Sequence, residues 1–131
     1  MEEKVIKQIN GTKANEVVGA IIEILDEREA RDVKVMKVSD KTVLTEYFVI
    51  CTGTSNTQRR AYSNFIEEGL KARGVTPSRI EGYEDDASWI VLDYFNVIVH
   101  IFDREARDFY KLEKLWSGAN EVSFNSVGGE K

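Results

Sequence analysis

The chain has 131 residues, 42% apolar and 31% charged, which fits one globular domain that buries about two-thirds of its surface on folding. A single cysteine, Cys51, and a single histidine, His100, exclude an internal disulfide and a tetrahedral Cys/His zinc site, leaving only a carboxylate-rich metal site open. The net charge of −5, from 23 acidic against 18 basic residues, argues against general nucleic-acid binding and leaves room for a basic protein partner.

From Thr12 to Arg28, the residues Val17, Val18, Ile21, Ile22 and Leu25 recur at spacings of three and four, which predicts an amphipathic helix. Thr12 or Asn15 supplies its cap. Val33 to Val38 is short and β-branched and reads as a strand, with Met36 breaking strict alternation. Ser39-Asp40-Lys41 then turns the chain. The uninterrupted run from Tyr47 to Cys51 reads as a central strand covered on both faces. Thr52 to Gln58 ends it and opens a second helix, with Ser55 and Gln58 at capping-box spacing. Tyr62, Phe65, Ile66 and Leu70 form the buried stripe of that helix, and Gly74 with Pro77 stops it. Glu81 to Asp86 carries four carboxylates around Gly82 and reads as an acidic surface loop.

Trp89 to Phe102 is the most informative stretch. Two apolar runs flank Phe95-Asn96, and pairing about that turn matches Tyr94 with Val97, Leu92 with Val99 and Ile90 with Ile101. One face is then wholly apolar. The other collects Trp89, Val91, Asp93, Ile98, His100 and Phe102, a mixture unlike an ordinary core. Phe95 is poorly suited to the positive φ of a tight turn, so a longer loop with a shifted register is the competing reading. Asp103 caps a last helical region, one helix or two, whose apolar positions are Ala106, Phe109, Tyr110, Leu112, Leu115 and Trp116. Residues 1–116 thus form one domain, and 117–131 read as a polar tail, frayed at Ser126–Lys131. The element order implies an α/β (α+β) fold, a mixed sheet with helices packed on it.

Few residues suggest catalysis. Cys51 closes a buried strand and reads as a core thiol rather than a nucleophile. Ser55 or Ser88 with His100 and Asp93 can be drawn as a triad, but Gly53-Thr54-Ser55-Asn56 lacks a nucleophile-elbow sequence. Gly53-Thr54-Ser55 has neither the second glycine nor the lysine of a phosphate loop and reads as a helix cap. The carboxylate pairs Glu84/Asp86, Asp103/Glu105 and Glu27/Glu29 sit in a loop or on helices rather than on adjacent strands, where two-metal chemistry needs them. Arg59-Arg60 and the set Arg104, Arg107, Lys111 and Lys114 are the only basic concentrations. Interleaved Glu105, Asp108 and Glu113 make the second an ion-paired helix surface. No cofactor, metal site or specific nucleic-acid site is expected. No run is apolar enough to cross a membrane and no signal segment opens the chain, so a cytoplasmic protein is expected.

Tyr47-Phe-Val-Ile-Cys-Thr-Gly-Thr-Ser55, Glu81-Gly82, Trp89-Ile-Val-Leu-Asp-Tyr94, Val97-Ile-Val-His-Ile-Phe102, Glu105-Ala-Arg107 and Phe109-Tyr-Lys-Leu-Glu-Lys-Leu-Trp116, in that order, resemble the RsfS/Iojap family of ribosomal silencing factors. The likeness runs from about Ala14 to Trp116. It implies a compact fold related to nucleotidyltransferases and a non-enzymatic role. That role is binding the large ribosomal subunit through ribosomal protein L-fourteen and blocking subunit joining, which represses translation under nutrient limitation or in stationary phase. The chain departs from the family pattern at Glu46, where Asp is usual, at Phe95-Asn96, where Gly-Asp is usual, and at Arg104, where Pro is frequent.

With that resemblance, the mixed hairpin face reads as a partner-binding site. Trp89 is its anchor, Val91 and Ile98 extend the apolar patch, and Asp93 and His100 supply polar or charged contacts. Asp85 and Asp86, with Glu84, assist encounter with a basic protein. The competing structural reading packs Trp89 beneath the final helix and makes His100 a satisfied core histidine. The competing functions are a nucleotide-binding or nucleotidyl-transfer enzyme on a related fold, and a homodimer formed through the same hairpin face.

Overall fold

The structure is a computed structural model that describes residues 8–116 and 120–122. Helix α1 spans Ala14–Glu27 and buries Val17, Val18, Ile21, Ile22 and Leu25, the stripe expected from the spacing. Its cap differs from the expectation. Lys13 is the capping position and its side chain bonds to nothing there, while the Thr12 hydroxyl donates to Asn10 Oδ1 at 2.6 Å and Asn15 lies inside the helix. Strand β1, Arg31–Lys37, starts two residues before the expected strand and carries a bulge between Arg31 and Lys34, where Asp32 has φ 53°.

Strand β2, Tyr47–Thr52, is buried at every residue, as its uninterrupted apolar run demands. Helix α2, Asn56–Ala72, begins at Ser55, whose hydroxyl accepts the Gln58 N–H at 3.0 Å. Gln58 Oε1 reaches back to the Thr54 N–H at 2.7 Å, one residue earlier than a strict capping box. Its C-terminus closes with Val75 N–H on the Leu70 carbonyl and Gly74 N–H on that of Lys71, a Schellman arrangement in which Gly74 takes φ 89°.

Strands β3 (Arg79–Glu81), β4 (Trp89–Asp93) and β5 (Val97–Phe102) follow, then helices α3 (Arg104–Tyr110) and α4 (Leu112–Leu115), and strand β6 (Asn120–Val122). The sheet order is β3-β4-β5-β2-β1-β6. Among the described strands only β2 and β5 run parallel, and they sit side by side at the centre. Asp103 caps α3 through the Ala106 N–H, and Lys111, at φ 49°, separates the two short helices. Residues 120–122 lie within the stretch read as tail, yet they pair antiparallel with β1. Ser126–Lys131 lie outside the described residues.

The two faces of the sheet are covered differently. Helices α1 and α2 close over Val35, Tyr47, Val49, Cys51, Ile90, Leu92, Tyr94, Val97, Val99 and Ile101 to form the main core. The opposite face carries Met36, Val38, Phe48, Ile50 and Phe102, roofed by Leu112 of α4 with Ala106 and Trp116 packed alongside. That second roof is small, and it leaves the β4–β5 side of the face partly open.

Candidate functional site

The hairpin has the register that alternation predicts. Ile90 pairs with Ile101 and Leu92 with Val99, while the Tyr94 N–H donates to the Val97 carbonyl at 2.9 Å. On the other face Trp89 opposes Phe102, Val91 opposes His100 and Asp93 opposes Ile98. The tight turn survives Phe95 by placing that residue at φ 68°. Asp93 makes this possible, since its Oδ1 accepts the Phe95 N–H at 2.8 Å, while the Asn96 N–H closes back on the Tyr94 carbonyl. The Asp93 carboxylate also lies 3.7 Å from Arg79 on β3.

Trp89, Val91, Asp93 and Ile98 are half-buried, and together they form the open part of the face. The Trp89 ring stacks on Phe102, with centroids 4.9 Å apart, and meets Tyr110 of α3 at 4.6 Å. Its Nε1–H donates to His100 Nδ1 at 3.1 Å. The indole is therefore gripped on one side and still reaches solvent, between the two readings weighed from sequence.

His100 is only 6% exposed and packs edge-on against Phe48. Burial pushes its imidazole down to about 4, so it is neutral at pH 7. Nδ1 accepts from Trp89, so Nε2 carries the proton, and this buried N–H has no partner among the described residues. His100 thus sets the orientation of Trp89 and offers no surface charge.

The acidic loop lies at the Trp89 end of the hairpin, and Asp85 and Asp86 are exposed there. Its backbone is held by two arginines of α2. Arg59, 6% exposed, donates to the carbonyls of Ala87 and Gly53, and Arg60 donates to those of Tyr83 and Asp85. Asp86 accepts the Ser88 N–H at 3.0 Å, which holds its carboxyl below the usual range. Gly82 takes φ 84° against the Trp89 carbonyl, an approach that a Cβ would block.

Pattern reading missed the wall of the site. The spacing offers Phe109, Tyr110 and Leu115 as apolar positions of the last helical region, yet Phe109 is 79% and Leu115 74% exposed, with Tyr110 exposed as well. The left-handed residue Lys111 turns α4 away from the line of α3, so one apolar stripe does not run through both. Leu112, the buried Arg107 and the half-buried Ala106 and Trp116 face inward. Arg107 fixes the wall to the sheet. Its guanidinium binds both Glu113 oxygens, the Asp32 carbonyl and Thr52 Oγ1, at 2.7 to 3.2 Å.

The chemistry weighed from sequence has little to work with. Cys51 is fully buried, and burial pushes its thiol up to about 12. Gly53, Thr54 and Ser55 serve the cap of α2. No group of three or more His, Cys, Asp or Glu side chains is placed to hold a metal ion among the described residues. No helix among them is long and apolar enough to cross a membrane.

Residues 11–131 match the family model described as "Ribosomal silencing factor during starvation". The chain belongs to the RsfS family of ribosomal silencing factors. It is 30% identical over 112 residues to the ribosomal silencing factor RsfS of Halalkalibacterium halodurans, covering 86% of this chain and 95% of that one. It is also 32% identical over 103 residues to a mouse protein named "Mitochondrial assembly of ribosomal large subunit protein 1", covering 76% of this chain and 45% of that one. The crystal structure of a Chromobacterium violaceum protein superposes with a TM-score of 0.77 at 32% identity, covering 86% of this chain and 92% of that one. By family the protein is therefore a ribosomal silencing factor, and its relatives bear the names of regulatory and assembly proteins.

Proposed function

We propose that the open sheet face docks onto the large ribosomal subunit through ribosomal protein L-fourteen and keeps the small subunit from joining. The mechanism is occlusion. A factor seated where the other subunit must land makes the two binding events mutually exclusive, and no bond is made or broken. The observation that carries the reading is the half-exposed Trp89 ring, oriented by His100 and walled by Tyr110, on a face that α1 and α2 leave alone. An indole on an apolar floor with an acidic rim is the anchor expected of a specific interface, which buries about 1,600 Å² in total. The mouse relative's name, which joins it to assembly of the large subunit, supports the choice of subunit. The net charge of −5, with Asp85 and Asp86 exposed beside the anchor, suits encounter with a basic ribosomal protein.

The test is cosedimentation with purified large subunits, together with pull-down of the ribosomal protein, using Trp89→Ala, Ile98→Lys and Asp93→Lys. Circular dichroism checks that each variant is folded. Each is expected to bind at least about tenfold more weakly. Undiminished binding by all three refutes the assigned face.

A further inference from the structure

A second apolar surface lies at the opposite end of the hairpin from Trp89. The loop from Ser39 to Glu46, which joins β1 to β2, carries Val43 at 101% and Leu44 at 83% exposure. Phe95, at the tip of the β4–β5 turn, is 71% exposed. These three side chains border one hollow of about 450 Å³, whose other lining residues are Ser39, Thr42, Thr45, Glu46 and Asn96. Loop and turn are tied together, because the Glu46 and Tyr47 N–H groups both donate to the Asn96 carbonyl.

Two features point to an occupant. Phe95 holds a positive φ that a glycine would take freely, yet it presents an aromatic ring to solvent, and backbone strain of that kind persists at positions kept for a contact. Finally, Glu46 is the only charged residue among the described lining, and it is exposed. Apolar walls and one exposed carboxylate together match a long basic side chain, whose methylene stem packs on the Phe95 ring and the branched Val43 and Leu44 while its N–H donors reach the Glu46 oxygens.

We propose that this hollow is a second anchor point of the docking site and receives a lysine or arginine side chain of the ribosomal protein bound by the Trp89 face. The inference rests on the docking reading, and the two sites are continuous through Asp93 and Ile98 at the base of the turn. The indole then fixes one end of the interface and the basic side chain the other.

The decisive variant is Phe95→Gly, because stability and binding should move in opposite directions. Relief of the positive φ should raise the melting temperature by about 3 °C. Loss of the ring should weaken cosedimentation with large subunits about tenfold. Glu46→Lys should weaken it comparably with little change in melting temperature. If the unaltered protein binds, Trp89→Ala weakens it and both new variants bind normally, this inference is overturned and the docking reading stands. If the unaltered protein does not cosediment, both fall. A dimer of the free protein that Phe95→Gly dissociates, with subunit binding unchanged, also overturns the inference by giving the hollow to a second copy of the chain.

Discussion

Replacing Arg107 by methionine tests whether the wall of the proposed docking face is held by one buried cation. Methionine keeps most of the side-chain volume, so the change removes charge and hydrogen bonds with little cavity. The bidentate pair with Glu113 is lost, and the Asp32 carbonyl and the Thr52 hydroxyl lose their donor. Breaking a buried pair costs about 3–5 kcal/mol when the abandoned charge has no other partner. Here Glu113 is 27% exposed and Lys34 stands 3.4 Å away, so the low end applies, and we expect about 3 kcal/mol in all. Urea unfolding at pH 7 measures it, and a loss below about 1 kcal/mol refutes the tether. Acid provides a second readout. The hydrogen bond from Arg107 holds the Glu113 carboxyl below its ordinary value, so in the native state this group resists protonation more than in the unfolded chain. Its stabilisation is therefore complete above the unfolded pKa and fades as pH falls through the lower native one. Arg107→Met should lose that part of the acid sensitivity. It should also weaken ribosome binding, because α3 carries Tyr110 against Trp89.

His100→Phe should flatten the stability profile between pH 6.5 and 5. The unfolded imidazole takes up a proton there and the native one, at about 4, does not, so the unaltered protein loses up to about 1.4 kcal/mol per pH unit as pH falls. An unchanged slope in the variant would rule out His100 as its source. Cys51 should resist thiol reagents at pH 8 in the native protein and react only on unfolding, and rapid labelling of native protein would contradict its burial. Gly82→Ala would place a Cβ 2.0 Å from the Trp89 carbonyl oxygen and should cost about 3 kcal/mol or more. An unchanged melting curve would mean that the loop gives way freely.

The hairpin was legible because its alternation was complete: Ile90, Leu92, Tyr94, Val97, Val99 and Ile101 can share a face only in one register. Strand β3 was not, since Arg79-Ile80-Glu81 is three residues with one apolar side chain and ran into the acidic segment. The roles of Arg59 and Arg107 were equally hidden. Each stands among polar and charged neighbours as surface arginines do, and what holds them in is a set of backbone carbonyls, at Ala87 and the nearby Gly53 for Arg59 and at the distant Asp32 for Arg107. The placement of Trp89, Val91, Asp93 and Ile98 on one face followed from counting by twos. That Phe109 and Leu115 point outward depended on the reversal at Lys111, for which a lysine gives no local cue.

The parallel junction of β2 with β5 has a consequence for how the silencer can be made or imitated. Val49 meets Val99 across a crossover containing α2, β3 and β4, so no contiguous peptide reproduces the middle of the sheet. A synthetic copy of Trp89–Phe102 would be a lone two-stranded ribbon, which is marginal in water, and it would lack the floor that Phe48 and Ile50 supply. On the docking reading, inhibition therefore belongs to the folded domain, whose sheet centre exists only once β2 and β5 have paired.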